Sequence, residues 1–222
     1  MKLKETENLW ILGAFLAVTG AVSALVLALF SDLVREPIGA AELKAANQAL
    51  RQVLPPFDNQ PLLTKTTVAW EGAEYTFMGA IRDGKLVAVA AAGSVPGYAG
   101  AVQALAGLNP DGSIRAVLIT GQKETPGLGA NVCQRKFQKT IFNLFEPRPE
   151  GLPPNPFLDQ FAGATASRET DWRVRKDGGT IDYVTGATVT SRAVTRLISR
   201  LDRCYLANRA EIAAALLGRN EK

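Results

Sequence analysis

The chain has 222 residues, a net charge of +4 and no histidine. Without histidine there is no Ser–His–Asp triad, no His-ligated zinc and no His-ligated haem. Two cysteines are too few for an iron–sulfur cluster or a four-cysteine zinc site, and scattered basic residues give no footprint for nucleic acid.

Residues 9–30 carry no charge, and these 22 residues suffice to cross a bilayer core of about 30 Å as a helix. Trp10 sits where an interfacial aromatic belongs. The run is longer than the apolar core of a signal peptide, so an uncleaved single-pass anchor is expected. Lys2 and Lys4 put the short N-terminal flank in the cytoplasm and the body on the periplasmic or outer side. The expected division is 1–36 for the anchor segment, 37–65 for a juxtamembrane helix and linker, and 66–222 for one domain. Leu43, Ala46, Leu50 and Val53 share a face of the juxtamembrane helix, which Pro55-Pro56 ends.

From residue 66 the pattern turns to short β runs at 67–70, 75–81, 86–92, 102–108 and 114–120. Asp83-Gly84 marks a hairpin and Asp111-Gly112 a second turn. This is an antiparallel meander, not the βαβ alternation of a flavodoxin. The phosphate-cradling fingerprints G-x-G-x-x-G and the Walker P-loop are absent. Gly97-Tyr98-Ala99-Gly100 between two runs is either a bend or a place where backbone approaches a planar ligand.

Glu124-Thr125-Pro126-Gly127-Leu128-Gly129 lies between a strand and a helix, as a connector or a ligand loop. The helix after it is expected to turn Val132, Phe137, Ile141 and Leu144 inward, with Arg135, Lys136 and Lys139 solvated. A proline-rich loop over 146–156 precedes a short turn or helix packed by Phe157, Leu158 and Phe161. Runs 172–174 and 180–184 flank Asp177-Gly178-Gly179 and predict a last hairpin that delivers Asp182.

The stretch Asp182-Tyr183-Val184-Thr185-Gly186-Ala187-Thr188-Val189-Thr190-Ser191 then reads as strand end, tight turn and helix start. Thr190 or Ser191 is the expected N-cap. Ala193, Val194, Leu197, Ile198 and Leu201 recur at helical spacing. Such a helix start, with hydroxyls before it, favours a phosphate through free N–H groups and the helix dipole. A small apolar helix over 210–217 follows. Cys133 and Cys204 are either buried and free or paired in an oxidising compartment.

Three segments in order, G-Y-x-G, E-T-P-G-L-G and D-x-x-T-G-A-T, resemble the G subunit of Rnf-type electron-transport complexes. They are also similar to the C subunit of the Na+-translocating NADH:quinone reductase. The resemblance implies an α+β fold: an N-terminal transmembrane helix, then one FMN-binding domain with a twisted antiparallel sheet and packed helices. It implies FMN attached by a phosphoester to Thr188 through a dedicated flavin transferase that reads Asp182, Thr185, Gly186, Ala187 and Thr188. The flavin contacts it implies are Thr185, Gly186, Ala187, Thr190 and Ser191, with Gly97, Tyr98, Gly100, Glu124, Thr125 and Leu128. The partners it implies are other subunits of a membrane electron-transport complex, within which the flavin relays electrons in a ferredoxin:NAD-type reaction. A subunit of the quinone reductase or another membrane redox pathway, or a non-redox assembly or anchoring subunit, stays as the alternative.

A second segment, Asp159-Gln160-Phe161-Ala162-Gly163-Ala164-Thr165, nearly repeats the last motif. It has Ala162 where the hydroxyl residue stands in the other, and no amphipathic helix follows it. It reads as a small-residue loop.

Overall fold

The computed structural model of the protein describes residues 9–137, 151–165 and 172–218, and the side chains of 9 and 32–38 lie outside the description. The expected contributions of Lys139, Ile141 and Leu144, and most of the proline-rich loop, fall outside those residues. Two compact units are present, Met1–Ala46 and Asn47–Lys222.

The first unit is helical. Trp10–Ser31, 22 residues, is long and apolar enough to cross a membrane. Helix α1 runs Leu9–Val53 without interruption, so the anchor and the juxtamembrane helix are one element. Pro37 does not break it. An interior proline removes one backbone hydrogen bond and bends a helix, and the turns on either side hold their own bonds.

The second unit is built on five strands: β1 (Lys65–Trp70), β2 (Ala73–Arg82), β3 (Lys85–Pro96), β4 (Ala101–Leu108) and β5 (Ile114–Gly121). They pair antiparallel in the order β1-β2-β3-β4-β5, the expected meander. Asp83 (φ 51°) and Gly84 (φ 70°) make the predicted tight hairpin, with both central residues left-handed. Glu71 (φ 48°) and Gly72 (φ 77°) make a second one, which has no Asp-Gly or Asn-Gly pair to signal it.

Alternation assigns the strand residues to two apolar clusters. Tyr75, Phe77, Val89, Ala91, Ala104 and Ala106 join the larger one, with Val194, Leu197, Ile198 and Leu201. Met78, Ala80, Ala88, Ala90 and Leu105 join the smaller one, with Leu50, Val53 and Leu54. With both faces covered, β3 reads as a nearly continuous apolar run rather than an alternating one. Helix α4 (Thr188–Gly218) covers the first face, with all five of the predicted core residues from Ala193 to Leu201 buried. It continues through a non-helical Asn208 (φ −115°) into the predicted tail helix. Cys133 and Cys204 are buried and free. Burial pushes the two thiols up to about 12 and about 11, which leaves them unreactive near neutral pH.

Four expectations need correction. After E-T-P-G-L-G there is one short helix, α2 (Gly129–Cys133), which ends at Gln134. Arg135 beyond it is not on a solvated face: its side chain is 5% exposed. Its guanidinium donates to the Val117 and Pro153 carbonyls at 2.9 Å and to Asp159 at 2.7 Å. A buried guanidinium is tolerated when hydrogen bonds replace its water, and here three do so, one of them to a carboxylate. The carboxylate comes from α3 (Pro156–Asp159), which Asn155 caps through the Phe157 and Leu158 N–H groups.

The last hairpin does not form. Residues Arg175–Asp177 make a 3-10 turn closed by Gly178 (φ 81°), and a single parallel bridge joins Val174 to Ile181. The turn wraps the chain so that the two runs meet side by side at one point, leaving no antiparallel ladder. The helix start is also displaced. Helix α4 begins at Thr188, ahead of Thr190 and Ser191, which sit in its first turn.

Candidate functional site

Gly186 explains the early helix start. At φ 81° it turns the chain in a conformation that side-chain-bearing residues rarely adopt. The Ala187 N–H then closes on the Val184 carbonyl at 3.0 Å, and the Ser191 N–H makes the first helical bond, to Ala187. The buried Ser191 hydroxyl fixes this corner from inside. It donates to the Ala187 carbonyl at 3.0 Å and accepts from the Val184 N–H at 3.2 Å. Among the described residues, the N–H groups of Thr188, Val189 and Thr190 have no acceptor. Neither does the half-buried Thr188 hydroxyl have a partner.

Against this corner lies the loop before α2. A cavity of about 410 Å³ is lined from one side by Tyr98, Glu124, Thr125, Leu128 and Gly129. Lys176 and the run from Gly186 to Thr190 line it from the other. Leu128 is 47% exposed at the cavity, and a Cβ on Gly186 would stand 3.0 Å from its Cδ2. Tyr98 is 74% exposed.

Glu124 ties the three segments together. Its Oε1 accepts from the Tyr98 N–H at 2.8 Å and the Ala99 N–H at 3.1 Å. The other oxygen, Oε2, accepts from the Thr190 hydroxyl at 2.6 Å. The side chain is buried, and among the described residues it makes no ion pair. Three donors satisfy a carboxylate that burial would otherwise penalise. Space around it is provided by glycine: a Cβ at Gly97 or Gly129 would run into its two oxygens. The residue read as a ligand contact is thus also the fastener of the site.

Tyr98, Glu124, Thr125, Leu128, Gly186, Ala187, Thr188 and Thr190 therefore meet at one cavity. Gly97, Gly100, Thr185 and Ser191 do not line it. Gly97 packs on Glu124, Gly100 faces Lys123, Thr185 is exposed beside the corner and Ser191 lies beneath it. Asp182 points elsewhere too: its carboxylate pairs with Arg175 at 2.8 Å, and both side chains are more than half exposed. Lys176 and Val189 line the cavity without having been singled out in the sequence. Lys176 sits in a charged turn with no motif spacing to mark it.

A concave site of this size with Leu128 and Tyr98 on one wall, a lysine and an open helix N-terminus suits a planar ligand that carries a phosphate. The near-repeat is built differently. Its Ala164 carbonyl accepts from the Ile114 N–H at 2.9 Å and its Gly163 N–H donates to the Ile114 carbonyl at 2.7 Å. Phe161 is fully buried. That segment is a strap on the start of β5.

The FMN-binding domain family matches residues 97–201, the stretch that holds all three segments. Over most of its length the sequence is similar to proteins named as the G subunit of an ion-translocating oxidoreductase complex. The one from Cereibacter sphaeroides is 35% identical, over 92% of this chain and 87% of its own. That from Pseudomonas aeruginosa is 30% identical, over 94% and 92%, and that from Vibrio cholerae 33%, over 85% and 86%. The chain belongs to the family formed by the G subunits of Rnf-type ion-translocating oxidoreductases, with an α+β FMN-binding domain.

Proposed function

We propose that this chain is the membrane-anchored, FMN-carrying subunit of an ion-translocating oxidoreductase complex, with FMN joined to Thr188 by a phosphoester. One observation carries the reading. A threonine hydroxyl with no partner among the described residues stands at the open start of a long helix, lining a cavity that Leu128 and Tyr98 also line. The N–H groups of Thr188, Val189 and Thr190, with Lys176, would hold the phosphate. Leu128 and Tyr98 would flank the ring, with Thr125 at its edge. Bound FMN supplies one- and two-electron transfer, which this chain's side chains do not. The chain's own part is to orient the flavin and shield one side of it. The partners are the other subunits of the complex, and the reaction served is of the ferredoxin:NAD type.

Thr185 and Gly186 are exposed beside Thr188 and Asp182 is exposed on the run leading to them, which suits reading by a flavin transferase. Residues 66–222 would form the flavin-bearing domain, carried outside the cytoplasm by the segment 1–36. A reporter that works only outside the cytoplasm, fused after Lys222, is expected to be active, and activity of a cytoplasm-only reporter there would reverse the topology. The function itself is tested by extracting the full chain gently from membranes that also contain the transferase. Flavin fluorescence that stays with the chain in a denaturing gel, and recovery with other subunits, is the expected result. A colourless chain recovered alone would overturn the reading.

A further inference from the structure

A second cavity, about 520 Å³, lies along a flank of α4 between Arg192 and Arg203. Arg192, Arg196, Arg200 and Arg203 line it from one helical face, and Trp172 and Arg173 form the facing wall. Two of the arginines are already matched. Arg192 holds Asp177 through two hydrogen bonds, one of them 2.6 Å, and Arg200 lies 3.8 Å from Glu71. Arg196 and Arg203 are exposed and, among the described residues, have no ion pair or hydrogen bond. The walls also leave two donors without acceptors. Thr195 and Trp172 line the groove, both more than nine-tenths buried, and neither Thr195 Oγ1 nor Trp172 Nε1 has a partner among the described residues.

We propose that this groove receives an acidic segment of another subunit of the complex, an inference that rests on the function proposed above. Arg196 and Arg203 are two helical turns apart, about 10 Å along the axis. A segment in the polyproline-II conformation advances about 3.1 Å per residue and returns to the same face every third residue, so carboxylates three residues apart match that spacing. The site is concave, walled by Trp172 and Arg173, a shape that an inserted segment fills more fully than a flat layer of lipid headgroups. The place is also suited to a redox neighbour. The turn Arg175–Asp177 separates the two cavities, with Lys176 lining one and Asp177 the other. A partner seated here stands one helical turn from the start of α4.

The test uses the full chain in membranes that hold the whole complex and the flavin transferase. Arg196→Glu combined with Arg203→Glu is expected to lower recovery of the chain with the other subunits about tenfold or more, because like charges then face each other. Its covalent flavin should stay, since neither residue lines the flavin cavity. Arg209→Glu, on the same helix but outside the groove, should leave recovery unchanged. A photoreactive amino acid placed at Arg196 should cross-link to a peptide of another subunit that carries at least two Asp or Glu.

Wild-type recovery of the double variant would overturn the proposal, as would a cross-link to lipid, to this chain itself or to a segment without acidic residues. So would stabilisation by inorganic pyrophosphate that the double variant loses while subunit recovery is unchanged, which would mark a small-anion site. A wild-type chain that is recovered with no other subunit would remove the proposed function along with this inference. Failure of the variant alone would remove only the groove.

Discussion

Thr188→Val is expected to abolish all flavin that survives denaturation, whereas Thr165→Val retains it. The substitution keeps the shape of the side chain and removes only the hydroxyl. Among the described residues that hydroxyl makes no hydrogen bond in the folded chain, so its loss should change stability by no more than about 0.5 kcal/mol. Loss of label would therefore report the attachment chemistry rather than unfolding. The two threonines share the Gly-Ala-Thr context and differ in surroundings. Thr188 opens a 31-residue helix with three N–H groups free of acceptors, and it faces a cavity. Thr165 follows a strap whose Gly163 and Ala164 are bonded to Ile114. Flavin fluorescence in a denaturing gel reads both variants. Label that persists in Thr188→Val and vanishes in Thr165→Val would move the site to the strap.

The second large effect is expected at Glu124. Glu124→Ala leaves the Tyr98 and Ala99 N–H groups and the Thr190 hydroxyl without their acceptor. Orphaned groups of this kind cost about 1–3 kcal/mol each and do not add simply, so a total near 3 kcal/mol is expected. For a unit of this size that lowers the Tm by roughly 6–12 °C. Glu124→Gln should be much milder. The amide oxygen can accept from both N–H groups, and the Thr190 hydroxyl can turn to accept from the amide nitrogen. Thermal unfolding of the two variants checks this. Equal and small losses would mean that the carboxylate does not fasten the site. With the alanine variant, covalent labelling should also fall, because the loop that bears Leu128 is no longer held against the start of α4.

The strands and the buried face of α4 were legible because burial imposes a period, and the apolar run within 10–31 through its length and lack of charge. The apolar positions 193, 194, 197, 198 and 201 allow only a helix, and the Asp83-Gly84 pair allows a hairpin. The cavity's main residues were legible through the resemblance of three short segments, not through any periodicity. What escaped the reading depends on contacts between distant segments. Arg135 looks like one of several surface cations, and only the Val117 and Pro153 carbonyls and Asp159 make it a buried strut. Glu124 could be named but not its role, because Tyr98, Ala99 and Thr190 converge on it from two other segments. Asp177-Gly178-Gly179 carries an ordinary hairpin signal, and the 3-10 turn that forms instead is set by its neighbours: Asp177 is held by Arg192, and Gly179 packs on the Arg173 carbonyl. The arginine stripe on α4 has the spacing of a solvated helix face, and nothing local reveals that a wall with Trp172 faces it.

The central claim is that Thr188 carries FMN. Its most direct test is mass spectrometry of the full chain after expression with the flavin transferase, denaturation and proteolysis. The account predicts that the peptide containing Thr188 gains the mass of one FMN less one water, with the fragment series placing the addition on Thr188. An unmodified Thr188 peptide from a preparation that is yellow before denaturation would contradict it, as would the same addition on Thr165, Thr185, Thr190 or Ser191.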